Sequence, residues 1–210
     1  MHILIALLVS VSAFSDQTQF HKYGAARKAF WGKLYSETHK SLYCEKTFHG
    51  RSGFNIEHVF AASWMKEAIP KCSNKNRKEC RRLSPRFNLM EADLHNMYPT
   101  VTTVNSARGS YIFTELDGEY ITESCPLEMG DRAVEPPEYA KGKVARAILY
   151  MTHEYNINLD KATNSPGFER DLLNWHCAHP PTPTEIIRND QIFNLQRTSN
   201  PFVLEDGLCS

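Results

Sequence analysis

The amino-acid sequence predicts an α+β fold, a helix-rich single domain. Three observations lead there. The chain has 210 residues and is 41% hydrophobic, the length of one domain with enough apolar side chains for a sizeable core. Its C-terminal part carries long runs with apolar residues at helical spacing. Short strand-like runs punctuated by glycine and proline lie before them, with no internal repeat or low-complexity segment.

The elements follow in order. MHILIALLVSVSAFSD is apolar from Ile3 to Val11 except for Ser10, and carries no charged side chain before Asp16. That run is short for a bilayer. It fits a secretory signal peptide over residues 1–15, with Val11 and Ala13 as small residues before a cut and Ser15 marking a second cutting point. No lysine or arginine opens it, and a buried N-terminal helix is the competing reading. The mature domain is then 16–210. Residues 17–41 read as helix through Phe20, Tyr23, Phe30 and Leu34, with Gly24 and Gly32 against it. Gly50 and Gly53 place a loop or short hairpin over 42–55. FNIEHVFA, residues 54–61, reads as a strand, and SWMKEAI after it as a brief helix stopped by Pro70. FNLMEADLHNMYP, residues 87–99, carries a short strand ending near Pro99. TVTTVNSARG, residues 100–109, is a short helix with Thr100 or Thr102 as cap and Gly109 as stop. YIFTELDGEYI, residues 111–121, reads as two strands around an Asp-Gly turn. EYAKGKVARAILYMTHEYNI, residues 138–157, is the best long helix, with Val144, Ala147, Ile148 and Met151 on its buried face. FERDLLNWHCAH, residues 168–179, is another helix. A proline-rich break follows, then helix through Phe193.

The six cysteines are an even number in a chain read as exported, which predicts three disulfides. Spacing does not choose the pairing. Cys72–Cys80 would close a local loop, Cys177–Cys209 would tie down the tail, and Cys44–Cys125 would staple an early segment to the middle. A zinc site is the competitor, since His176, Cys177 and His179 stand together, but no Cys-x-x-Cys partner accompanies them.

Formal net charge is zero, so any electrostatic argument for a nucleic-acid partner is local. Residues 66–88 provide one. Lys66, Lys71, Lys75, Arg77, Lys78, Arg81, Arg82 and Arg86 face only Glu67 and Glu79, eight against two, a local net of +6. This basic loop is either a solvated lysine-rich surface or a phosphate-contacting one, through Arg77, Lys78 and Arg81.

The chemistry concentrates in two runs, GFNIEHVFAASWM and LMEADLHNMYPTVTTVNSARGSY. His58 can be neutral near pH 7 and accept a proton from water. Glu57 is a hard oxygen ligand suited to magnesium or calcium. Neighbours on a regular strand face opposite ways, so the two serve one site only if the strand ends or bends there. Asn105 offers a neutral carbonyl oxygen to the same cation. One acid and one amide make a sparse shell that water and a substrate phosphate would complete. Arg77 or a neighbour could pair with a phosphate through its planar fork. The bland alternatives are a core histidine and a helix-surface asparagine.

At these residues the sequence resembles the secreted and periplasmic endonuclease I family, non-specific nucleases of the ββα-metal, or His-Me finger, group. IEHVFAASW resembles the family's Glu-His-Val motif, and LMEADLHNMYPTVTTVNSARG its second block. ARAILYMTHEY and the terminal NPFV also match, so the resemblance covers roughly residues 17–209. It implies a ββα-metal motif at the centre of the fold. It casts His58 as general base, Glu57 and Asn105 as ligands of Mg2+ (with Mn2+ or Ca2+ as alternatives), and Arg77 as a phosphate contact near the cleavage site. Glu91, Asp93, His95 and Asn96 lie in the second block and are assigned to shaping the site. Two positions depart from the pattern: Ile56 stands where an aromatic is common, and Ala61 where proline is. The family often has eight cysteines, and six here suggest one disulfide fewer.

The expected activity is metal-dependent hydrolysis of phosphodiester bonds in DNA, and in RNA too, by a secreted or periplasmic monomer. It would have low sequence specificity, leave 5′-phosphate ends and make no stable membrane association. The product polarity comes from the resemblance alone. A catalytically silent nucleic-acid-binding domain using the same basic segment is the alternative. A zinc protease lacks its His-Glu-x-x-His motif.

Overall fold

The computed structural model describes residues 17–204 and Cys209. The expected signal peptide, residues 1–15, lies outside the described residues. Helix α1 (Tyr23–Ala29) continues into a π-helical turn, Phe30–Leu34. Strands β1 (His39–Lys40) and β2 (Thr47–Phe48) form a small antiparallel hairpin, and β3 (Phe54–His58) follows. A helical excursion comes next: α2 (Ala62–Glu67), α3 (Arg77–Leu83), α4 (Pro85–Glu91) and a 3-10 turn, Leu94–Asn96. It returns through β4 (Met97–Val101) to α5 (Thr102–Arg108). Strands β5 (Ile112–Phe113), β6 (Glu119–Thr122), β7 (Cys125–Met129) and β8 (Ala133–Glu135) make a sheet in the order β5-β8-β7-β6. Helices α6 (Glu138–Glu154), α7 (Leu159–Thr163), α8 (Phe168–Ala178), α9 (Pro183–Gln196) and α10 (Pro201–Leu204) complete the chain. The α+β, helix-rich reading holds.

The β3–β4 pair is antiparallel and stands between two apolar clusters. Its register sets Ile56 against Pro99, Glu57 against Tyr98 and His58 against Met97. Ile56 and Met97 join the smaller cluster with Phe30, Leu34, Phe48 and Leu94. Tyr98 joins the larger one, built from α2, α5, α6 and α8 through Trp64, Val104, Ile148 and Leu172. Helix α6 packs hard against the end of α8. A Cβ at Gly142 would lie 2.4 Å from the His179 carbonyl oxygen, so only glycine permits that approach.

Several expectations need correcting. The helix expected over 17–41 begins only at Tyr23 and ends at Leu34, because the Gln17 side chain closes its own turn, accepting from Phe20 N and donating to Phe20 O, each at 2.9 Å. The basic loop is a loop only over residues 68–76, where Lys71 and Lys75 stand. Asn76 and Glu79 form a capping box that starts α3, and Ser84 with Pro85 starts α4. That second helix takes the first five residues of the segment expected to be strand before Pro99, and β4 begins only at Met97 and runs on to Val101. Helix α5 is preceded by Val101, without a side-chain cap, although Gly109 does stop it at φ +56°. Asp117-Gly118 joins no hairpin. Strand β5 pairs in parallel with β8, and Gly118 is absent from the glycines with positive φ that such a turn needs.

Two of the expected disulfides are present, Cys44–Cys125 and Cys177–Cys209. The third is not. Cys72 and Cys80 are buried free thiols, and Cys80 Sγ donates to the Cys72 carbonyl oxygen at 3.5 Å. Both pack in the larger core as small apolar side chains, and burial pushes the Cys80 thiol up to about 12. The bond from Cys177 to Cys209 also removes the sulfur that a zinc site there would need. Among the described residues no helix is long and apolar enough to cross a membrane.

Candidate active site

The candidate residues gather at the end of β3. The strand stops at His58, and the turn after it is clamped by Asn96. Val59 N donates to the Asn96 carbonyl at 3.1 Å. The Asn96 side chain accepts from Phe60 N at 2.6 Å and donates to Phe60 O at 3.0 Å. Two groups of side chains meet this strand end, one on each face.

On the first face, His58 Nε2 lies 2.9 Å from the Glu91 carbonyl oxygen. A carbonyl only accepts, so Nε2 carries the proton and Nδ1 keeps the lone pair. Burial, then the nearby Arg77 charge, lowers the imidazole to about 4, outweighing the Glu91 contacts that raise it. His58 is therefore neutral at pH 7. It remains 8% exposed, at the margin of solvent. Helix α3 delivers Arg77 and Arg81 to the fully buried Glu91 carboxylate. Arg77 Nε pairs with one oxygen, and Arg81 holds the group in a fork at 2.6 and 2.8 Å. Burial pushes the Glu91 carboxyl up, but the two guanidiniums outweigh it and the net shift is down. The two arginines stand one helical turn apart, and their outer ends stay partly exposed.

On the second face, Glu57 Oε1 accepts from Tyr43 Oη at 2.7 Å and lies 3.2 Å from Arg108 Nη1. Burial raises its carboxyl despite both partners. Asn105 Nδ2 donates to Asn55 Oδ1 at 2.7 Å and to the Ile56 carbonyl at 3.1 Å. Its amide oxygen is the end turned away from those bonds. Arg108 is buried between the rings of Trp64 and Phe113 and donates to the carbonyls of His58 and Val59 at 3.3 and 2.8 Å. It ties α5 to the end of the strand that carries both Glu57 and His58.

The donor set fits a hard divalent cation. Both neighbours of the Glu57 carboxylate attach to Oε1, its charge is costly where it stands, and an amide oxygen comes from the adjoining helix. Among the described residues no three His, Cys, Asp or Glu side chains converge to hold a metal.

The remaining predicted residues sit apart. Lys78 is exposed on α3 and joins neither group. Asp93 is fully buried and accepts from His95 N, Gln196, Tyr150 and Tyr155. His95 Nε2 meets the Thr198 carbonyl at 2.9 Å. These two fix the approach to β4 against α6 and α9 and do not touch the strand end. The sequence reading missed Arg108, Tyr43, Tyr23 and Asn55. One signal was available: Arg108 lies three residues after Asn105, on the same helical face.

A poised neutral imidazole beside guanidiniums, with hard oxygen donors across the same strand, is equipment for hydrolysing a phosphate ester. The family model described as Endonuclease I matches residues 11–206. The chain belongs to the endonuclease I family. It is similar to an extracellular deoxyribonuclease of Aeromonas hydrophila, 29% identical over 97% of this chain and 96% of that protein. A periplasmic deoxyribonuclease of the same organism is 32% identical over 70% of this chain and 61% of that protein. An extracellular ribonuclease of Bacillus subtilis is 33% identical over 53% of this chain and 43% of that protein.

Proposed function

We propose that the chain is an exported endonuclease, dependent on a divalent metal, that hydrolyses phosphodiester bonds in DNA and RNA with little sequence preference. One observation carries the reading: the neutral His58 and the costly Glu57 carboxylate are consecutive residues at the end of β3, with Arg77 and Asn105 brought to its two faces. The succession β3, β4, α5 supports a ββα-metal motif. Relatives named as extracellular and periplasmic enzymes support export, and relatives named for DNA and for RNA support a broad substrate range. The working unit is a monomer.

In this mechanism His58 Nδ1 takes a proton from water, and the oxygen attacks phosphorus. The Glu91 carbonyl holds the imidazole in the required tautomer. Arg77, fixed at Nε by Glu91, turns its outer nitrogens to a non-bridging phosphate oxygen. Glu57 and Asn105 would hold Mg2+, with Mn2+ or Ca2+ as alternatives. The ion would supply Lewis-acid stabilisation of charge developing on the phosphate. Arg108 holds the strand end in place, through the His58 and Val59 carbonyls, while both neighbours act. As the new P–O bond forms, the P–O3′ bond breaks, the leaving 3′ oxygen takes a proton from a water molecule, and the phosphate stays on the 5′ end. Contacts to the backbone hold the substrate without reading bases.

The test is nicking of supercoiled plasmid by purified mature protein with magnesium, repeated with chelator and with single-stranded DNA and RNA. Nicking that chelator abolishes is expected. Binding without nicking, with any of the three ions, would establish the silent binding domain instead.

A further inference from the structure

We propose that Tyr23, on the first helix, is a positioning residue for this cleavage, the platform on which the imidazole and both arginines of the first face are seated. The proposal rests on the nuclease reading of the site.

Three contacts converge on one ring. The His58 ring centroid lies 5.4 Å from that of Tyr23, the planes inclined by 46°. The guanidinium carbons of Arg77 and Arg81 lie 5.4 and 5.6 Å from the same centroid. Glu91 restrains the three groups by their ends: the imidazole through its carbonyl oxygen, the arginines through its carboxylate. Tyr23 restrains them by their faces. A hydrogen bond to one ring nitrogen leaves the imidazole free to swing about that bond, and an aromatic wall removes that freedom. Two guanidiniums sharing one carboxylate would otherwise close over it. The ring gives them a second surface, favourable for cations in a partly dry place. Burial pushes the Tyr23 phenol up, so the ring stays neutral.

The platform is itself anchored. Gln17 is fully buried, and its amide donates to the Leu89 carbonyl at 3.0 Å as well as closing the turn at Phe20. Leu89 lies on α4, the helix that ends in Glu91. The segment leading into α1 is thus tied to the element that holds the other side of the cluster. None of the described hydrogen bonds involves the Tyr23 hydroxyl, so the ring alone does the work.

The experiment compares Tyr23→Leu, Tyr23→Phe and Gln17→Ala with the parent for plasmid and oligonucleotide cleavage, separating kcat from KM. Tyr23→Leu should lose about 10- to 100-fold in kcat, the cost of a small misplacement of reacting groups, with a smaller change in KM. Its manganese affinity should be unchanged, because Glu57 and Asn105 face the other side of β3. Tyr23→Phe should restore kcat to within about two-fold of the parent, since the ring contacts remain. Gln17→Ala should lower kcat several-fold while every ring stays in the chain. A folded Tyr23→Leu protein with parental kcat overturns the proposal. If that variant does not fold, parental kcat in Gln17→Ala overturns it. A parent inert toward every substrate and ion would instead sink the nuclease reading.

Discussion

Replacing Arg108 with methionine tests how the strand end is held. The guanidinium is buried, pairs with Glu57 at 3.2 Å and donates to the carbonyls of His58, Val59 and Gly109. Methionine fills much of its volume between Trp64 and Phe113 but leaves Glu57 buried without its cation. Removing one partner of a buried ion pair costs about 3–5 kcal/mol. The lower end applies here, because Arg108 Nε is already buried without a hydrogen-bond partner and that cost disappears with the side chain. A loss of about 3 kcal/mol in a domain of this size lowers the melting temperature by about 6–12 °C. Circular dichroism melts in chelator would measure it free of ligand linkage. Adding Glu57→Gln removes the stranded charge, so the double variant should recover more than half of the loss. A single variant that melts within about 2 °C of the parent would refute the buried-pair reasoning, since about 1 kcal/mol is then the most it could be worth.

Three further outcomes are expected. His58→Ala should abolish turnover yet bind manganese as the parent does, whereas Glu57→Ala and Asn105→Ala should weaken binding and turnover together. Calorimetric titration separates them, and loss of the ion by His58→Ala would make His58 a ligand. Burial, followed by the Arg188 charge, lowers His95 to about 3, against the partial opposition of the Thr198 carbonyl. The unfolded chain therefore takes up that proton near pH 6.5 while the folded protein does not. Stability is full above that pH and falls as pH drops toward 3, by about 2 kcal/mol between pH 7 and pH 5. His95→Gln should lack this component, measured by denaturant melts at the two pH values. The raised carboxyls of Glu57 and Asp93 act in the opposite sense in both proteins. Equal pH dependence in parent and variant would contradict the assignment. The native protein should take up no iodoacetamide, and two equivalents once unfolded without reductant, because Cys72 and Cys80 are buried thiols. Intact mass would then show about four hydrogens lost to disulfides, two per bond.

The parts of the fold legible in sequence were those written in local pattern. Helix α6 carried its apolar stripe, and β3 begins where Gly50 and Gly53 end the loop before it, although it stops at His58 and not at Ala61. Helix α3 was also written locally, in Asn76 and Glu79, but eight basic side chains drew attention to charge and away from the cap. Glu57, His58, Arg77 and Asn105 could be named because their chemistry and family pattern are specific. Their division between two faces of one strand could not be read, since it depends on where β3 ends and on what packs above and below it. Arg108 and Tyr23 were invisible for a related reason. Each looks like an ordinary helix residue until distant segments close around it: Trp64 and Phe113 around one, Arg77 and Arg81 around the other.

The strands that carry this centre are far apart in the chain. Strand β3 finds β4 only after the excursion through α2, α3 and α4 has been made. The approach to β4 is then held by Gln196, which accepts from Leu94 N at 2.8 Å, and by Arg188, which donates to the carbonyls of Leu94 and Met97. A ribosome has therefore released almost the whole polypeptide before the contacts that hold the approach to β4 exist. Such long-range closure is slow. A nascent or still-unfolded chain carries Glu57, His58, Arg77 and Asn105 without bringing them to one strand end, so on the proposed nuclease reading activity waits on the completed fold.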